Sequence, residues 1–319
     1  MIRLIFLIQI YLLSGWFYHP VELDLMEKKS AKTVPETDAD VVTIPLKRAG
    51  RLLLIEAEID GQRGNFIFDT GAPYLVLNKT YFRKYPRKRV ATAGTITGAI
   101  EDIERVNVDN LSFKEIYYKD LSADLVNLGQ IETARGVKIL GLMGLSLFES
   151  FEMEINVREN FLKLYKTNAE GECLSLPPRA ECEFIQPISV YDHTIFAECE
   201  IAGKKLRFGF DTGAETNALN SRTNKKVLET ISITGRRKLN GVGEGSLEII
   251  YGRINYFKFG GTPIFGMQTL ITNMDGMNVA YGTRIDGMLG YDFLAKGTVR
   301  VNCRKELLKL CLFDKFSNE

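Results

Sequence analysis

Apolar residues alternate with other residues at Leu53, Ile55, Ala57 and Ile59, and the same period of two returns at Ile195, Ala197, Cys199 and Ile201. That spacing predicts half-buried strands. Gly61 and Gly203 follow as turns, so each stretch opens with a hairpin. The returning strands run into Phe66-Ile67-Phe68-Asp69-Thr70-Gly71-Ala72 and Phe208-Gly209-Phe210-Asp211-Thr212-Gly213-Ala214, with Asp211 standing 142 residues beyond Asp69. A single Asp-Thr-Gly is ordinarily a strand-ending turn, in which Asp and Thr satisfy backbone groups and Gly takes positive φ. Its return at a domain-scale period instead predicts two copies of one unit.

Further landmarks keep the same order. Leu75-Val76-Leu77-Asn78 continues as strand after the first turn, matched by Asn217-Ala218-Leu219-Asn220. Ile139-Leu140-Gly141-Leu142-Met143-Gly144 corresponds to Ile285-Asp286-Gly287-Met288-Leu289-Gly290. Residues 151–164 then align without gaps with 297–310, each predicting a hairpin around a charged turn, Arg158-Glu159-Asn160 and Arg304-Lys305-Glu306. Within the second apolar-apolar-Gly site Asp286 replaces Leu140, which predicts a carboxylate facing solvent or tied to a backbone donor, since unpartnered burial costs several kcal/mol. The repeat divides the chain into an N-terminal lobe over 41–167, a linker over 168–182 around Pro177-Pro178, and a C-terminal lobe over 183–319.

Composition narrows the function classes. The chain has 319 residues, 45% hydrophobic and 25% charged, enough for about two domains that each bury a core. A formal net charge of +1 offers no field to draw nucleic acid, which excludes that partner. Basic runs at Arg83-Lys84 with Arg87-Lys88-Arg89, and at Arg236-Arg237-Lys238, read as solvated loop faces. Arg3 followed by an apolar run to Leu13 reads as an export signal within 1–21, too short for a membrane span, although an uncleaved anchor to the membrane also fits. Residues 22–40 read as a tether, with folding starting near Val41 and a periplasmic or cell-envelope location expected.

The five cysteines lack metal-binding spacing, and only His19 and His193 could assist, so no metal or other cofactor is expected. Cys173 and Cys182 flank the linker and could close a small disulfide loop, Cys199 reads as a buried thiol, and a Cys303–Cys311 bridge is not expected. His193 opens a hairpin far from any nucleophile motif and reads as a surface residue, which leaves nucleophilic triads short of a base. Gly241-x-Gly243 lacks the strand-turn-helix setting of a phosphate loop. Paired carboxylates remain.

The two Asp-Thr-Gly-Ala turns, each followed by a Gly-rich segment and an apolar-apolar-Gly element, resemble the aspartic peptidases, in the form of a bacterial retropepsin-like enzyme with two fused lobes. The resemblance spans roughly residues 40–315. It implies an all-β, two-lobed acid-protease fold with pseudo-twofold related, barrel-like lobes and a cleft between them. It implies Asp69 and Asp211 as the catalytic pair, Thr70 and Thr212 locking the two turns together, and Gly71 and Gly213 allowing close approach. The family's flap falls on Gly94, Thr95, Ile96, Thr97 and Gly98 in the first copy and on Gly241 and Gly243 in the second. The first flap lacks the tyrosine of pepsin-type enzymes. The expected activity is endopeptidase cleavage of a peptide or protein substrate by a monomer, since one chain supplies both acids; a peptide-binding or structural relative without turnover is the alternative.

Overall fold

The computed structural model describes residues 34–94, 100–175, 182, 184–240, 246–280 and 282–313. The export segment, His19 and the flap candidates Thr95, Ile96, Thr97, Gly98, Gly241 and Gly243 lie outside the described residues.

The first half runs β1 (Val41–Pro45), β2 (Lys47–Ala49), β3 (Leu52–Ile59), β4 (Gln62–Phe68), β5 (Leu75–Asn78), β6 (Lys88–Gly94), β7 (Ile100–Phe113), β8 (Ile116–Val126), α1 (Gly129–Arg135), β9 (Ile139–Met143), β10 (Phe151–Asn156) and β11 (Phe161–Lys166). The second repeats the plan with β12 (Phe184–Tyr191), β13 (Thr194–Ile201), β14 (Lys204–Phe210), β15 (Asn217–Asn220), α2 (Lys225–Leu228), β16 (Ile231–Asn240), β17 (Ser246–Phe259), β18 (Thr262–Thr272), α3 (Asp275–Ala280), β19 (Gly287–Leu289), α4 (Tyr291–Leu294), β20 (Gly297–Asn302) and β21 (Leu307–Leu312). In the first half the order β3-β4-β9-β5-β8-β7 closes through a β3–β7 pairing, and in the second β13-β14-β19-β15-β18-β17 closes through β13–β17. The fold is therefore all-β, with two six-stranded barrels that follow one strand order.

In each barrel the strand that carries the apolar-apolar-Gly element wedges between the two strands that flank the acid turn. β9 runs parallel to β4 and antiparallel to β5, and β19 does the same with β14 and β15. Glycine is required at the crossing: a Cβ on Gly141 would strike the Val76 carbonyl oxygen, and one on Gly287 would strike the Ala218 carbonyl oxygen and the Phe208 ring.

The half-buried strand predicted at 52–59 is covered on both faces at its start. Leu53, Ile55, Ala57 and Ile59 point into the main core, but Leu52 and Leu54 are buried as well, in a second cluster with Ile67, Leu128 and Ile131. The cause is α1, which the strand pattern did not announce. Leu128, Ile131 and Ala134, three residues apart, give it one apolar face, and it ends at Gly136 in the left-handed conformation. Burying Leu128 and Ile131 contributes about 1.5–3 kcal/mol each. Met274 and Met277, at and within α3, cover Phe196 and Ala218 in the same way.

A sheet shared by both halves joins the barrels, in the order β1-β11-β10-β20-β21-β12. Its central joint is β10 against β20, pairing Met153 with Val301 and Glu154 with Arg300. Folding begins earlier than the expected Val41. Glu36 forms a two-bond bridge with Tyr117, and Lys166 N donates to Asp40 O at 2.8 Å, so the last part of the tether is docked.

The Cys173–Cys182 loop that the sequence allows is not formed. Cys182 instead pairs with Cys311, 129 residues away, and Cys173, Cys199 and Cys303 are free thiols. The reason is strand register. β12 pairs with β21 so that Phe184 faces Leu310, which brings Cys182 beside Cys311, whereas Cys173 is held in a bridge with Thr167 and its Sγ lies 3.6 Å from Glu152 Oε2. As expected, Cys199 is buried. Because the bridge closes nearly the whole second half, its loss through Cys182→Ser is expected to lower stability by roughly 2–5 kcal/mol. Urea denaturation checks this, and a midpoint that reductant leaves unmoved in the wild-type protein would contradict the pairing.

Candidate active site

Each acid turn begins where the buried end of a strand must leave its barrel. Phe66, Ile67 and Phe68 hold β4 in place, Asp69 N donates to Met143 O at 3.1 Å, and the chain then turns. Phe208 and Phe210 do the same for Asp211, whose N donates to Leu289 O at 3.0 Å. Each carboxylate folds back over its own turn. Asp69 Oδ1 accepts from Gly71 N at 3.0 Å and Ala72 N at 3.2 Å, and Asp211 Oδ1 accepts from Gly213 N at 2.7 Å.

The two turns meet. Thr70 N donates to Thr212 Oγ1 and Thr212 N to Thr70 Oγ1, both at 3.0 Å. The hydroxyls donate onward across the seam, Thr70 Oγ1 to Phe210 O at 3.1 Å and Thr212 Oγ1 to Phe68 O at 2.8 Å. All four bonds are buried and reciprocal, the pattern of a local twofold axis. Gly71 and Gly213 serve close approach rather than positive φ, since neither takes the left-handed conformation. A Cβ on Gly71 would stand 2.5 Å from Asp211 Cγ, and one on Gly213 would stand 2.6 Å from Asp69 Cγ.

Burial and proximity set the protonation. Asp69 is 5% exposed and Asp211 2% exposed. Burial raises the pKa of both, and a hydrogen bond links the two side chains. For Asp69, that hydrogen bond and the Gly71 and Ala72 amides oppose the effect of burial. For Asp211, the charge of Asp69 and the same hydrogen bond add to it, so its carboxyl is pushed well above the carboxylate range. Burial and mutual proximity thus favour one proton shared by the pair. This is behaviour for which aspartic protease dyads are the reference case, and the pair titrates as a unit.

The repeat breaks beside the second turn, where Glu215 takes the place of Pro73, and this departure marks residues that the motif alone did not single out. Glu215 is buried and pairs with Arg135 from the end of α1, while Arg51 Nη1 donates to Glu215 O at 3.0 Å and Asp292 Oδ1 at 3.1 Å. Arg48 Nη1 donates to Tyr291 Oη at 2.6 Å. Burial raises the pKa of Glu215 against the pull of Arg135. These contacts fasten the first half to the segment leaving the second acid turn. Asp286 accepts from Arg207 N at 3.0 Å and is half-buried, the backbone-tied outcome expected for it. His193 is not a plain surface residue: its Nδ1 lies 2.7 Å from Glu149 Oε1 in the other half.

Gly94 ends β6 and pairs with Ile100 of β7, and Asn240 pairs with Ser246 across β16 and β17, so the described strands that flank the two flap candidate segments are paired antiparallel.

Two like barrels meeting at a pair of hydrogen-bonded aspartate turns define a two-lobed, acid-protease-type protein. The family model described as aspartyl protease matches twice, over residues 55–147 and 197–293, and the chain belongs to that family. No curated protein matches the sequence. Among solved structures, the chain is similar to basic 7S globulin from soybean at 9% identity and a TM-score of 0.48, over 85% of this chain and 95% of that one.

Proposed function

We propose that the protein is an aspartic endopeptidase. The observation that carries this reading is the pair of buried aspartates, Asp69 and Asp211, each packed against the opposite turn's glycine where two reciprocally bonded turns meet. In the proposed reaction the ionised member of the Asp69–Asp211 pair takes a proton from water as the water oxygen bonds to the peptide carbonyl carbon. The protonated member supports the developing oxyanion. The carbon–nitrogen bond then breaks, and the amine leaves with the proton that the ionised member acquired. Thr70, Gly71, Thr212 and Gly213 hold the geometry without touching the reacting atoms. The hairpins β6–β7 and β16–β17 would close over an extended peptide.

The same reading has the protein acting as a monomer, because one chain supplies both turns. It also has the protein exported to the cell envelope through its apolar N-terminus, with or without removal of that segment. The Cys182–Cys311 disulfide supports an oxidising compartment.

Incubation with an unfolded protein at mildly acid pH is the test. Cleavage is expected, blocked by a statine-type transition-state analogue. Tight binding of peptide with no cleavage at any pH would overturn the reading in favour of a non-catalytic peptide-binding protein.

A further inference from the structure

Arg51 and His193 occupy the same place in the repeat. Ala49 pairs with Leu52 and Tyr191 with Thr194, which leaves Gly50-Arg51 and Asp192-His193 as equivalent two-residue turns. Both turns reach into the opposite half. Arg51 meets Asp292 at 3.1 Å, and His193 Nδ1 meets Glu149 Oε1 at 2.7 Å, with its ring edge-on to Tyr74 at 5.1 Å between centroids. The two joints differ in chemistry. A guanidinium keeps its charge across the working pH range, whereas an imidazole carries charge only when protonated.

We propose that His193 and Glu149 form a proton-dependent clasp between the lobes, the pseudo-symmetric counterpart of the permanent Arg51–Asp292 pair, so that acid tightens the joint around the aspartate turns. The side chains of this clasp are 32% and 29% exposed, which screens the interaction without abolishing it. Among the described residues, the ionisable groups acting on His193 are Glu149, reaching from the other half, and Asp192 on its own turn; the Tyr74 ring packs beside them. Cys303 lies within the field of Glu149, and burial first and that charge second push its thiol up. The Glu149 hydrogen bond raises the pKa of His193, against burial, which lowers it. A raised folded-state value means that the contribution is complete below the ordinary imidazole range, about 6.5, and is lost as pH rises through the folded value.

The Thr70 and Thr212 amides report directly on the seam, because each donates to the opposite turn. Hydrogen exchange at these amides, corrected for intrinsic rates, is compared in wild type, His193→Gln and His193→Arg. At pH 5 the Gln variant is expected to exchange roughly three- to fivefold faster than wild type. At pH 8 the two are expected to agree, while the Arg variant stays protected at both values. An equal ratio of Gln variant to wild type at both pH values would overturn the proposal. Should the Gln variant not fold, the His193 titration by NMR in wild type and Glu149→Gln decides: a lower midpoint in the variant is expected, and an unchanged one overturns the clasp. Neither readout involves peptide cleavage, so the clasp and the protease reading fail separately.

Discussion

Asp69→Asn and Asp211→Asn are each expected to lower kcat by about 10²–10⁴-fold, the range a positioned acid or base contributes. The same substitutions are expected to stabilise the fold at neutral pH. Both acids have raised pKa values, with burial the first cause for each and the charge of Asp69 a further cause for Asp211. A carboxyl whose folded value lies above its unfolded value supports the native state below the unfolded value and opposes it increasingly as pH rises through the folded one. Asparagine removes that pH-dependent strain while keeping a donor and an acceptor where the acid stood. Thermal melts should therefore show, for each variant, a gain at pH 7 that shrinks toward pH 4. Activity equal to wild type in either variant would remove the dyad mechanism, and a melting difference flat across pH would remove the shared proton.

Gly213→Ala is the second large expectation. The added methyl would meet Asp69 Cγ at 2.6 Å and Asp69 Oδ1 at 2.7 Å, and both atoms belong to a buried carboxyl held by the amides of its own turn. Overpacking of this kind destabilises by about 1–3 kcal/mol. The larger effect is expected on rate, because displacing a reacting group by about 1 Å can cost about 10²-fold. Gly71→Ala should act in the same way on Asp211. Thr212→Ala provides a contrast. It strips the buried Thr70 amide and Phe68 carbonyl of their partners, at about 1–3 kcal/mol for each, and Thr212→Ser should restore both bonds. Measurement of kcat and melting temperature across the set separates a displaced dyad from a loosened seam. Wild-type kcat in Gly213→Ala would show that the turns do not need their close approach.

Much of the site was legible because its parts are short and repeated. Asp69 and Asp211 each end an apolar strand, and the flanking Phe66–Phe68 and Phe208–Phe210 runs show the same strand exit twice. The bond partners of Thr70 and Thr212 were accessible only through the family resemblance. Glu215 was visible as a break in the repeat, yet its partner Arg135 lies 80 residues earlier on a helix whose apolar face was hidden among strand signals. The disulfide was not decidable from the sequence for a related reason. Cys173 and Cys182 are near in sequence, but the bridge follows the β12–β21 register to Cys311.

The sequence by itself determined two copies of one strand-turn unit, an acid at the end of each, and an all-β architecture, because period-two burial and turn chemistry act within a few residues. Only the tertiary structure decided that the turns exchange threonine bonds, that Arg51 and His193 bind opposite halves with different chemistry, and that Cys182 finds Cys311. Those outcomes depend on barrel closure and on strand register between segments 44 to 241 residues apart, where many pairings satisfy the same local pattern and packing of the whole selects one.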